Sequence, residues 1–137
     1  MAFDHLVKKK VDANDPRLRN LMDKVKAEAS KLSPRGISTA LLASANLRNS
    51  DASLALAKAL CEAAGPIVTK FDARYIASSF NALARLGLRD SVFVAFFEKL
   101  CRAAVPNMND FKPQELSNIF NALAKLEHKD ERLLVAL

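Results

Sequence analysis

Four side chains able to bind an anion or a nucleobase edge stand at Arg74, Ser78, Asn81 and Arg85. Their spacing places them along one face of an α-helix. The set returns as Gln114, Asn118, Asn121 and Lys125, and upstream as Arg35, Thr39, Leu42 and Asn46. Arg and Lys pair with phosphate, while Asn, Gln, Ser and Thr can bond to base edges. No copy contains an acid, although the chain has 15 Asp and Glu. Amides recur at Asn81 and Asn121, where Glu or Lys would keep the surface just as soluble. Aligned in a stack, the copies make a ladder of polar and basic groups. One or two side chains per repeat, meeting one base per repeat, is how modular helical repeats read single-stranded RNA. A solvated helix face is the competing reading, and Leu42 interrupts the ladder in the first copy.

The elements that carry this ladder are internal repeats. Segment 71–97 recurs forty positions on at 111–137. Phe80-Asn81-Ala82-Leu83-Ala84-Arg85-Leu86 returns as Phe120-Asn121-Ala122-Leu123-Ala124-Lys125-Leu126. A weaker copy precedes them at an offset of thirty-nine, matching Leu41 to Phe80, Leu47 to Leu86 and Asp51 to Asp90. The offset is forty from Leu60-Cys61 to Leu100-Cys101, so one extra residue falls between Asp90 and Leu100 on this alignment. Asp15-Pro16-Arg17-Leu18 resembles Asp130-Glu131-Arg132-Leu133, the start of a second helix without its first. Repetition on this scale means stacked units rather than one globular core.

Each unit reads as a helix–turn–helix hairpin. Asp72 and Ser33 can cap the first helix, and Pro34 and Pro113 suit its first turn. Ile76, Phe80, Leu83 and Ala84 share one apolar face, repeated by Leu116, Phe120, Leu123 and Ala124. Gly87 permits a turn, and Asp51, Asp90 and Asp130 are placed to cap the second helix. Val92, Phe93, Phe96, Phe97, Leu100, Cys101 and Ala104 give that helix a broad apolar face, and Pro106 follows as a stop. One hairpin cannot hide so much apolar surface, but stacked neighbours can. The expected fold is all-α, a short α-solenoid. A basic tail at 1–14 precedes a solenoid at 15–137. The solenoid divides into a partial repeat at 15–31, repeats at 32–70 and 71–110, and an incomplete repeat at 111–137. Phe80 and Phe120 are expected at equivalent buried places. The apolar end Leu133-Leu134-Val135-Ala136-Leu137 has no polar cap, which implies a longer array or a covering neighbour protein.

Bulk properties agree with a folded, anion-seeking chain. Half of the 137 residues are hydrophobic, and only 3 are Gly. The net charge is +6 and the pI about 9.6, favouring an acidic partner, with nucleic acid first and an anionic membrane surface second. No membrane span is expected. Cys61 and Cys101 share a repeat position among apolar neighbours and read as small buried hydrophobes. Most Phe residues stand at core spacing, while Tyr75 lies between core and ladder. Lys8-Lys9-Lys10, Arg89 and Lys129 are either wet surface or further phosphate contacts. His5 and His128 belong to no repeated site, and no nucleophile motif, metal-spaced pair or phosphate loop occurs. The reading is therefore of a non-enzyme with no cofactor and no small-molecule substrate.

The block from Pro113-Gln114-Glu115-Leu116 to Ala122-Leu123-Ala124-Lys125-Leu126, closed by His128-Lys129-Asp130, resembles octotricopeptide and heptatricopeptide repeats. These are related to the repeats of RAP-domain and FAST-kinase-type proteins. Segment 80–90 carries the pattern too, and Ala45-Asn46-Leu47 with Asp51 a faint form. The Trp often found before A-L-A-K-L in that group is replaced here by Asn81 and Asn121. The resemblance implies an organellar RNA-binding protein, in a mitochondrion or alternatively a plastid. Asp4, Asp12 and Asp15 make the N-terminus unlike a transit peptide, which keeps a cytoplasmic location as the remaining alternative. A mitochondrial ribosome is the implied setting, with ribosomal RNA or an organellar transcript as partner. The alternative is a protein–protein scaffold without RNA contact.

Overall fold

The computed structural model of the protein describes residues 15–47, 51–87 and 91–126. Six α-helices and no strands occur among them: α1 (Pro16–Ala27), α2 (Pro34–Asn46), α3 (Asp51–Ala64), α4 (Ala73–Leu86), α5 (Ser91–Ala104) and α6 (Pro113–Lys125). Three 3-10 segments, Ala29–Lys31, Gly65–Lys70 and Val105–Asp110, join successive units. The tail with Lys8-Lys9-Lys10, the turn residues Arg89, Asp90, His128 and Lys129, the proposed cap Asp130 and the apolar Leu133–Leu137 stretch lie outside the described residues.

Local chemistry starts each first-layer helix. Ser33 Oγ accepts the Gly36 backbone N–H at 3.1 Å, and Asp72 Oδ1 accepts that of Tyr75 at 3.1 Å. Such caps each contribute about 1 kcal/mol. At α6 the roles reverse, and Glu115 Oε1 reaches back to accept the Lys112 backbone N–H at 2.8 Å. Pro16, Pro34 and Pro113 open their helices, where a missing N–H costs nothing. Gly87 ends α4 in the left-handed region, with φ of 63°.

The helices form two layers. α4 lies between α2 and α6, so the first helices of the units are neighbours. α3 packs between α1 and α5 in the second layer, and α1 fills the place of a second helix without a first. Ile76, Phe80, Leu83, Phe93, Phe96, Phe97 and Leu100 are buried between the layers. Phe80 meets Phe97 edge-on with centroids 5.2 Å apart, and Phe71 meets Phe96 at 6.5 Å. Cys61 and Cys101 are both buried.

The last described helix departs from expectation. Phe80 is fully buried, but Phe120 at the same repeat position is 69% exposed. Ala124 is exposed too, and Leu116 only half-buried, whereas Ala84 is buried. The reason lies in the neighbours: α4 is flanked by α2, α5 and α6, while among the described residues α6 meets principally α4. The position matching Phe97, Leu137, is outside the described residues. The repeat register also shifts. α3 and α5 each have 14 residues and begin at Asp51 and Ser91, so the extra residue precedes α5 instead of lying within it. Asp51 is the first helical residue of α3.

The stretch Asp51–Lys70 is long and apolar enough to cross a membrane by length and composition, with mean hydropathy 1.2, contrary to the sequence expectation. The α-helix within it ends at Ala64, and a 3-10 segment containing Pro66 completes it. Leu56, Ala57, Leu60, Cys61 and Ala64 face the interior of the stack, and 39% of the stretch is buried there.

Candidate nucleic-acid interface

The ladder runs across α2, α4 and α6 on the side turned away from the second layer. Arg35, Asn46, Arg74, Arg85, Gln114, Asn121 and Lys125 are exposed, and Thr39, Ser78, Asn81 and Asn118 half-buried. None is part of the core. Leu42 is half-buried against the core and divides the polar face of α2, as its side-chain type foretells.

The structure gathers three of these residues across two units. Arg85 donates from Nη1 to Asn46 Oδ1 at 2.8 Å, linking α4 to α2. It also donates from Nε to Asn81 Oδ1 at 3.4 Å. A guanidinium has only donors, so both amides must turn their oxygens to it. Asn46 and Arg85 occupy the same repeat position in successive units, and Lys125 holds that position in the third. On α6, Gln114 Nε2 donates to Asn118 Oδ1 at 3.4 Å. The side chains of Arg35, Thr39, Ser78 and Asn121 share the face without joining the three-residue cluster.

Arg74 is differently placed. Its Nη2 donates to the Tyr75 hydroxyl at 3.1 Å, and its guanidinium lies 4.8 Å from the Tyr75 ring centroid. Asp72 Oδ2 stands 3.8 Å from Arg74 Nη2. Both partners are well exposed, so the pair is weak and an incoming anion can compete with the carboxylate. An acid therefore borders the ladder, which its own residue types do not reveal. The signal is in the sequence: Asp72 caps the helix two residues before Arg74, and a cap stands beside the first-turn side chains.

Two shallow cavities of about 330 and 360 Å³ lie elsewhere, against the second layer. Val92, Phe96 and Lys99 line one, and Val68, Arg102 and Pro106 the other. Neither includes a ladder residue. Among the described residues no group of His, Cys, Asp and Glu could hold a metal ion.

Stacked helical hairpins that offer an extended polar face, with the polar groups set at repeat intervals, define an all-α repeat protein. The chain belongs to the RNA-editing substrate-binding complex 6 protein family, whose family model matches residues 12–137. No curated protein and no solved structure matches the chain. The family places it among RNA-related helical proteins, which is the coarser part of what the octotricopeptide resemblance implies.

Proposed function

We propose that the chain is an RNA-binding subunit of an RNA-editing complex and holds RNA against α2, α4 and α6. Its role is binding rather than catalysis, with RNA and neighbouring subunits as partners. The carrying observation is the exposed ladder, free of acids among its own positions, over three successive units. The chain's net charge of +6 and a family named for RNA-editing substrate binding support the same reading. A mitochondrion is the proposed compartment, from the resemblance to organellar repeats. The family's name favours an editing complex over a ribosome as the setting.

A protein scaffold is the second reading, favoured by the 69% exposure of Phe120 at the end of the described stack. A salt titration of RNA binding separates the two. Replacing Arg74, Arg85 and Lys125 together by Ala should weaken binding to all sequences and flatten the log–log salt dependence by about 2 units, at ~0.7 per phosphate contact on a single strand. Identical slopes for the variant and wild type would remove this face as the RNA site.

A further inference from the structure

We infer that Asn46, Asn81 and Arg85 form a clamp for one backbone phosphate of RNA, in which the two amides aim the arginine and do not read bases. This rests on the RNA-binding role proposed for the ladder and gives its amides a different task. The 2.8 Å and 3.4 Å contacts turn both amide oxygens toward the guanidinium. The groups left to face outward are then N–H donors: the amide nitrogens of both Asn and the rest of the guanidinium fork. An adenine edge presents a donor beside an acceptor, and reading it needs an amide that shows both. A phosphodiester presents acceptor oxygens only, which matches a donor-only site. The O6/N7 edge of guanine is acceptor-only too, so a loss confined to the G-containing RNA in Arg85→Ala would overturn the clamp.

Charge supports the same ligand. Among the described residues no carboxylate forms an ion pair with Arg85, whereas Arg74 has Asp72 and Arg17 has Asp15. Neutral amides hold Arg85 in place without cancelling its charge. Asn46 belongs to α2 and Arg85 to α4, so the clamp exists only where two units are stacked. It therefore grips any sequence at the seam between units.

The test uses the full chain with U, C, A and G-containing single-stranded RNAs across a salt series. Arg85→Ala should weaken binding about tenfold on every RNA, the factor for one charge-assisted hydrogen bond, and flatten the slope by ~0.7. Arg85→Lys should keep the slope but lose affinity, because an ammonium lacks the fork. Asn46→Ala and Asn81→Ala should weaken all RNAs alike with the slope unchanged, and should add nothing in the Arg85→Ala background. Inorganic polyphosphate, which has no bases, should compete better against wild type than against Arg85→Ala. A changed preference among the RNAs in either Asn variant would overturn the clamp in favour of base reading. An unchanged slope in Arg85→Ala, with a flattened slope in the triple variant, would overturn the clamp while the RNA face stands. No RNA binding by wild type would overturn both.

Discussion

Phe80 and Phe120 are the same residue at the same repeat position, so truncating each to Ala isolates the effect of surroundings. Phe80 is 0% exposed and packs edge-on against Phe97 at 5.2 Å. Removing a ring so enclosed loses its transfer free energy and leaves a cavity, at a cost of about 3–5 kcal/mol. Phe120 is 69% exposed, and a substitution at such a site stays within about 0.5 kcal/mol. The pair should therefore differ by roughly 3 kcal/mol, a large share of the ~5–15 kcal/mol that holds a domain folded. At ~2–4 °C per kcal/mol for the larger domains and more for the smaller, Phe80→Ala should lower Tm by about 10–20 °C. Phe120→Ala should barely move it. Thermal unfolding followed by circular dichroism measures both. Equal drops would refute the account, because they would mean that Phe120 is enclosed as Phe80 is.

Three further outcomes are expected. Ser79 is fully buried and its hydroxyl meets no partner among the described residues, while Ala40 and Ile119 hold the matching positions; Ser79→Ala should raise stability by about 1 kcal/mol in a denaturant titration. Gly87→Ala forces a side chain into φ of 63° and should cost about 1 kcal/mol in the same assay, with no steric clash to add to it, since a Cβ there meets nothing within 4 Å. The Arg17 guanidinium and backbone N–H hold the Asp15 carboxyl down at about 2, against an ordinary 3.8. The folded state then binds fewer protons than the unfolded state in that interval, so the contribution of Asp15 is complete above pH 3.8 and fades as pH falls to about 2. Asp15→Asn should abolish that part of the acid dependence, as read by helix content across an acid titration.

Much of the stack was legible because its signals are local. Ser33, Asp72 and the first-turn prolines mark helix starts through bonds made within a few residues. The spacing of Ile76, Phe80 and Leu83 marks a buried face by helical period alone. Phe120 is exposed where the repeat expects burial, because burial belongs to a residue's neighbours and the repeat pattern copies the residue without copying what packs on it. Asp51 and Asp90 match by type, which puts the extra residue between Asp90 and Leu100. The helix starts at Asp51 and Ser91 show that type and helical position differ by one residue there. At the candidate site, the common face of Arg74, Asn81 and Arg85 follows from spacing. The turning of two amide oxygens onto Arg85 does not, since it depends on α2 and α4 being adjacent.

The two layers of the stack are lined by different side chains. Ala40, Ala43, Ala45, Ala77, Ala82, Ala84 and Ala122 are buried along α2, α4 and α6, whereas Phe93, Phe96, Phe97, Leu56, Leu60 and Leu100 fill the second-layer helices. Small side chains let helix axes approach, and bulky ones hold them apart. α4 accordingly meets α2 and α6 more extensively than α3 meets α1 and α5. The more extensive packing thus lies in the layer that carries the ladder. A bulkier residue at one of these alanines would push α4 off its neighbours and part Arg85 from Asn46, so the small side chains set the spacing of the ladder.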